Sequence, residues 1–394
     1  MTASACIERV ESFIVSLPRD TPYLGPLGAG ERVTERGYVV RQGNRALYPT
    51  RDSSVLVRLT DSEGRVGWGE TYGIIAPMAT TALIDDVLGP LLIGRQASDV
   101  TVLGEDMYDY MRIRGHFGGY FLDAMAALDI GLWDLHAKTL NQPLVKLLGG
   151  QRQRQLPAYI SGLPGSSLQQ RVDLALQFQA EGFRAFKFHS VVSFDGIVQE
   201  MQALREALGD EAELMVDLHW KFTAHEALQL IERLAPCRPM LIEAPCAPED
   251  QEGQAQVARQ TRVPLALGEE WATVFEYRQR MEKRAMSIVQ PEMGHTGVSQ
   301  FMQIGRMAHA FHMRMMPHAS IGVGIFQAAS LHAAAALPNV PWHEYQHSVF
   351  NKNLAFLDTT MRCEAGFFDV PSGPGLGVEP RPELWQHLRP KNDF

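Results

Sequence analysis

Asp217, Glu243, Glu269, Glu292, His318 and Glu344 follow one another at gaps of 26, 26, 23, 26 and 26 residues. Each stands at or just past the end of a short apolar run: LMVD, MLIE, PLALGE, SIVQPE, MRMMPH and NVPWHE. Four or five apolar residues and then an amphipathic stretch, repeated at this period, predict consecutive β/α units. In a closed (β/α)8 barrel the C-terminal strand ends converge on one rim, where active sites of that architecture lie. The spacing therefore predicts that six residues distant in the chain form one cluster. A cluster made mostly of carboxylates requires a cation, because like charges a few Å apart raise one another's pKa. Three hard oxygen donors on successive strand ends, Asp217, Glu243 and Glu269, suit one Mg2+ completed by water or substrate.

The 394 residues accommodate a barrel of about 250 residues and roughly a hundred more. Strands are expected near 156–161, 183–189, 213–218, 239–243, 264–268, 286–290, 313–317 and 341–344, with helices such as 198–209 and 224–235 between them. Residues 1–150 read differently. IERVESFIVSL and SSVLVRLTDSEGRVGWGE alternate as antiparallel strands with a turn at Asp61–Gly64. Between them, Pro18 to about Arg51 reads as a long loop rich in Gly, Pro and Arg, and helical periodicity runs from Pro77 to Leu148 before Gly149-Gly150. The expected fold is thus α/β: a TIM-type (β/α)7-8 barrel at 151–350 and an α+β capping domain at 1–150. The Pro- and Gly-containing segment 351–394 is expected to return to the cap. With a net charge of −9 and interspersed signs, nucleic acid is not an expected partner. No apolar stretch of about 18 residues predicts a membrane span. Four cysteines without CxxC spacing and no signal-like start point to a reduced, cytoplasmic setting.

The second expected strand ends FRAFKFH, which puts Lys187 and His189 on one face. Lys187 could bind a substrate carboxylate or serve as a base, its pKa lowered by the cation and by His189. The same spacing sets His219 beside Asp217, facing substrate, where an imidazole could protonate a departing hydroxyl. Glu292 and His318 end neighbouring strands, so the carboxylate could raise the basicity of the imidazole. His295 is an alternative occupant of that place. His116 and His312 read as packing or surface residues.

As a set, these motifs resemble the enolase superfamily, and within it the mandelate racemase group of acid-sugar dehydratases and racemases. AMAALDIGLWDLHAKTLNQPLVKLLGG (124–150) is similar to the helix that closes the family's capping domain. LMVDLHW, LIEAP and LGEE are similar to the strand ends bearing the family's Mg2+ ligands, which implies that role for Asp217, Glu243 and Glu269. QPEMGHTG and MPH are similar to the acid–histidine dyad strands, implying Glu292 and His318, and WHE implies Glu344 as a hydrogen-bond partner of the enediolate. Three positions depart from the pattern: His189 replaces the second lysine of Lys-x-Lys, Glu292 replaces aspartate, and Ala244 replaces an acid or amide.

Asp217-Leu-His219 resembles the galactonate and mannonate dehydratase branches, where the histidine helps expel the 3-hydroxyl. The galactonate branch also implies a base at His295. The resemblance implies a Mg2+-dependent dehydratase of an aldonate or aldarate, working as a homo-oligomer on a small sugar acid. C2 deprotonation would fall to His318 with Glu292, or to Lys187 and His189. Loop residues Arg19, Tyr23, Arg45, Tyr48 and Arg51, together with GWGETYG, are expected to contact the far end of the substrate, and a loop arginine there would favour a diacid. Two other readings are a racemase or epimerase with opposed bases, and a sugar-acid-binding protein without turnover.

Overall fold

The computed structural model describes residues 5–20, 24–319 and 322–391. Apolar alternation near the N-terminus produces β1 (Ile7–Pro18), β4 (Arg51–Asp61) and β5 (Val66–Tyr72), which pair antiparallel, with Leu388–Arg389 from the far end of the chain added beside β1. One face of this sheet lies on the long helix Tyr120–Thr139. The approach is so close that a Cβ at Gly69 would stand 1.8 Å from the Ala127 carbonyl oxygen, so only glycine fits there.

The segment between β1 and β4 is more ordered than a loop rich in Gly and Pro predicts. It carries the hairpin β2 (Tyr38–Val40) and β3 (Leu47–Pro49). It is held by Arg41, which is 1% exposed and donates to Glu31 and to the carbonyls of Gly25 and Pro26. A buried guanidinium that donates to several acceptors fixes the backbone around it.

The β/α alternation yields β6 (Gln155–Ser161), β7 (Ala185–His189), β8 (Glu213–Asp217), β9 (Leu241–Glu243), β10 (Leu265–Leu267), β11 (Ile288–Val289), β12 (Arg314–Met315) and β13 (His343–Tyr345). All neighbours pair in parallel, in the order β12-β11-β10-β9-β8-β7-β6-β13. Among the described residues no strand ladder joins β12 to β13. That seam carries hydrogen bonds from Met315 N to Asn339 O and from Asn339 Nδ2 to Met313 O, both 3.0 Å. The sheet nevertheless curls, because His318 just past β12 lies 3.7 Å from Glu344 on β13.

Side-chain alternation then places the chemistry. Tyr159, Ala185, Met215, Leu241, Ala266, Ile288 and Met316 form one buried apolar cluster. Two residues further along their strands come Ser161, Lys187, Asp217, Glu243, Gln290 and His318, on the same face. The apolar layer is the floor on which the polar layer stands. No helix among the described residues is long and apolar enough to cross a membrane.

Candidate active site

The carboxylates converge as the spacing predicts. Glu243 is 1% exposed, accepts from Lys187 Nζ at 2.9 and 2.8 Å and from Gln290 Nε2 at 2.7 Å. Lys187 Nζ also lies 2.9 Å from Glu344. Glu269 accepts from Trp220 Nε1 at 2.8 Å and lies 3.0 Å from His318 Nε2. Ligand atoms of Glu243, Glu269 and His318 fall within 4.8 Å of one another, a grouping that could hold a metal. Asp217 turns instead to His219: one oxygen accepts from the His219 backbone N–H at 2.7 Å, the other is 3.1 Å from His219 Nε2.

Burial, and then the charges of Glu243 and Glu269, push the Asp217 carboxyl well above the usual aspartate range. Burial alone would raise Glu269, but His318, His219 and Lys187 pull it below the normal carboxylate range. These two opposite responses have one cause, a dense set of buried acids whose charge is offset only where a cation touches it. Three carboxylates on adjacent strand ends, Asp217 and Glu243 buried and Glu269 partly so, match the oxygen-rich donor set of Mg2+. His318 Nε2, 3.0 Å from Glu269 Oε2, sits beside these carboxylates as a hydrogen-bond partner of one of them.

The expected dyad is present: His318 Nδ1 lies 2.8 Å from Glu292 Oε2 despite the extra methylene of glutamate. Tyr72 Oη from β5 donates to the same Glu292 oxygen at 3.0 Å. Burial would lower His318, but Glu344, Glu269 and Glu292 hold it well above the usual histidine value. Across the cluster, His189 is buried, 3.3 Å from Ser161 Oγ, and pushed well below the usual histidine value by burial, His219 and Lys187.

Two sequence expectations need correction. A lowered lysine pKa is not what Lys187 shows: burial works in that direction, but Glu243 and Glu344 outweigh it and hold the amine well above its usual value. It is therefore a fixed positive charge. His219 does not owe its direction to strand alternation, because β8 ends at Asp217. Its backbone and that of Trp220 are left-handed, at φ of 51° and 56°, conformations that side-chain-bearing residues adopt at a cost of roughly 1–2 kcal/mol each. The turn sets the imidazole against Asp217 and leaves Nδ1 buried without a hydrogen-bond partner. Burial lowers His219 to about 4.

His295 is held by Asp123 of the cap, with Nδ1 2.6 Å from Oδ1, and stacks on Tyr72 at 4.2 Å. A Cβ at Gly294 would come within 2.8 Å of the Tyr72 ring, so the glycine before His295 makes room for the stack. Burial would lower His295, but Asp123 raises it to about 9.

A cavity of about 270 Å3 opens over this layer, lined on the barrel side by His189, Asp217, His219, Glu269, Glu270, His295 and His318. Of the loop residues expected at the substrate, Tyr48 lines the cavity and Arg45 does not. Arg51 donates to Ser16 at 2.8 Å through both Nε and Nη2, away from it. Arg19 pairs with buried Asp52 and faces a smaller adjoining crevice. Tyr23 lies outside the described residues. GWGETYG mostly joins the cap to the barrel: Glu70 accepts from the backbone N–H of Val323, Gly324, Ile325 and Phe326 at the start of the helix Ile325–Ala336. A second cavity, about 330 Å3, shares only His295 with the first.

Sequence reading missed Asp123, Gln290 and Glu270, and reached Tyr72 only as part of GWGETYG, from which it lines the cavity. Gln290 had a signal, its place two residues before Glu292 on an inward face; Asp123 had none, since its partner is 172 residues away.

Residues 48–149 match the model of the mandelate racemase / muconate lactonizing enzyme N-terminal domain, and residues 170–384 match the enolase C-terminal domain-like model. A Sinorhizobium meliloti protein provisionally named an isomerase is 50% identical over 98% of this chain and 99% of its own, with a TM-score of 0.96. An enolase superfamily member from Agrobacterium tumefaciens is 47% identical over 98% of this chain and 99% of its own, at 0.95. A racemase from Streptomyces coelicolor A3(2), with bound magnesium, is 26% identical over 97% of this chain and 100% of its own, at 0.84. From these matches and the site they surround, the chain belongs to the mandelate racemase / muconate lactonizing enzyme group of the enolase superfamily.

Proposed function

We propose that this chain is a Mg2+-dependent sugar-acid dehydratase, which removes the proton α to a carboxylate and expels the 3-hydroxyl to leave a 2-keto-3-deoxy acid. One Mg2+ per chain would be held by Asp217, Glu243 and Glu269, on a curled strand layer that we read as a TIM-type barrel. Bound there, the ion would supply Lewis-acid stabilisation of the substrate carboxylate as negative charge builds on it.

The chain's own groups supply the remainder. Glu292 lies 2.8 Å from Nδ1 of His318, which would fix the tautomer and leave Nε2, set 3.0 Å from Glu269, as the atom that takes the C2 proton. Lys187, a fixed cation between Glu243 and Glu344, stabilises the enediolate oxygen without reorganising. The observation that carries elimination is His219 Nδ1, a buried and unpartnered atom of a side chain that lines the cavity. A proton delivered through it converts the departing 3-hydroxyl to water as the C3–O bond breaks, and the enol then becomes the ketone.

Epimerisation is a second reading, favoured by imidazoles on opposite sides of the cluster, His189 and His318. The provisional isomerase name of the 50% identical protein supports it too. The deciding experiment incubates Mg2+-loaded His219→Asn with sugar acids, reading 2-keto-3-deoxy product with semicarbazide and C2 deuterium by NMR. The dehydratase reading expects product to vanish in the variant while exchange survives. Epimerisation expects exchange and inverted C2 in the wild-type chain with no keto product.

A further inference from the structure

The barrel side of the cavity is crowded with charge, whereas the cap side is not. Leu24, Leu47, Tyr48, Tyr72, Ile74, Ile75 and Tyr120 form most of the cap's share of the wall, and the charged side chain there, Asp123, is an acid already paired with His295. No arginine or lysine lines the cavity among the described residues, and the undescribed residues 21–23 and 320–321 include neither type. Arg19, in the adjoining crevice, is already ion-paired with Asp52, both under 10% exposed. Arg45 and Arg51 do not line the cavity. Of the imidazoles on the wall, His295 is held by Asp123 at 2.6 Å and His318 by Glu269 and Glu292 at 3.0 and 2.8 Å.

We propose that the substrate is a monocarboxylate whose non-reacting end is uncharged and presents apolar surface to the cap, as in a deoxy- or ring-closed sugar acid, and that diacids and phosphorylated acids are rejected. This rests on the dehydratase reading only in placing the reacting carboxylate beside Lys187. A second carboxylate at the far end would lose water against aliphatic side chains, with acids nearby and no unpaired cation to receive it. Tyrosine faces and aliphatic side chains instead complement C–H surface, while the His295 N–H and the Glu270 carboxylate offer a donor and an acceptor to a hydroxyl. The cavity volume, about 270 Å3, falls just under the span of about 300–1,000 Å3 usual for drug-sized ligands, which favours a small substrate.

The test uses hexonates, 6-deoxyhexonates and hexarates of each configuration, with Mg2+-loaded protein. Binding is read by titration calorimetry and C2 deuterium exchange by NMR. Hexonate or 6-deoxyhexonate should bind tighter than the matching hexarate, by on the order of 100-fold. Leu47→Arg, a change at a half-exposed position, should raise hexarate affinity about 10-fold. Equal or tighter binding of hexarates overturns the inference, and loss of that binding in Arg19→Leu would name the cation responsible. Failure of all three classes to bind also overturns it. If monoacids bind selectively but none exchanges its C2 proton, the substrate class stands and the dehydratase reading falls.

Discussion

The two walls of the cavity are built on different rules. The barrel wall rests on a layer that takes one or two groups from each successive strand end, with Asp217, Glu243, Glu269, Glu292, His318 and Glu344 at an almost constant period and Asp217, Glu243, Glu292 and Glu344 buried. The cap wall takes aliphatic and tyrosine side chains from separate places, Leu24, Leu47 and Tyr48 from the segment that Arg41 holds and Ile74, Ile75 and Tyr120 from further along the cap. The contrast teaches that the reaction is fixed by a rigid charged layer, while the choice of substrate sits on a surface that can change without disturbing it. Damage to the barrel wall should therefore act on rate, and damage to the cap wall on affinity.

The largest effect expected is from chelation. Removing divalent ions should lower turnover by about 10^3-fold or more, and Mg2+ should restore it. Glu292→Gln should come next. It keeps the side-chain length but weakens the base, so kcat should fall about 100-fold with KM nearly unchanged, as followed by steady-state kinetics on any exchanging sugar acid. If KM moved and kcat did not, the division between the walls would fail.

A smaller effect belongs to the joint between the two regions. Asp129, on the cap helix Tyr120–Thr139, receives hydrogen bonds from Ser299 Oγ and N on the barrel helix Met293–Ala310, and burial raises its carboxyl to about 6. Because the folded value lies above the unfolded one, its contribution is full below about pH 4 and is lost as pH rises through 6. Relative to Asp129→Asn, the wild-type chain should lose on the order of 2–3 kcal/mol across that window, read from urea midpoints. A pH-independent difference would contradict the assignment. Leu47→Ala, on the cap wall, should give the smallest change: a few-fold rise in KM at constant kcat, from about 1 kcal/mol of lost apolar contact.

Legibility follows the same division. Each strand of the curled parallel sheet was readable because apolar runs end at nearly regular spacing, and strand alternation then carried Lys187 and His189 to one face. The dyad was readable for the same reason. The fate of each group's proton was not, because it depends on neighbours across the barrel: Lys187 is raised by Glu243 and Glu344, and His219 is turned by two left-handed residues. On the cap, a stretch rich in Gly and Pro looked like a loop, since the hairpin Tyr38–Pro49 is organised by a buried arginine and not by periodicity. Asp123 met His295 only through tertiary folding.

The most direct test of the central claim is C2 proton exchange in deuterium oxide by His318→Asn, with Mg2+ and the sugar acids that the wild-type chain binds. The account predicts Mg2+-dependent exchange in the wild-type chain and a loss of about 10^2–10^4-fold in the variant, with circular dichroism and Mg2+ binding preserved. Exchange at an undiminished rate in His318→Asn would contradict it and pass the base role to His189 or His295.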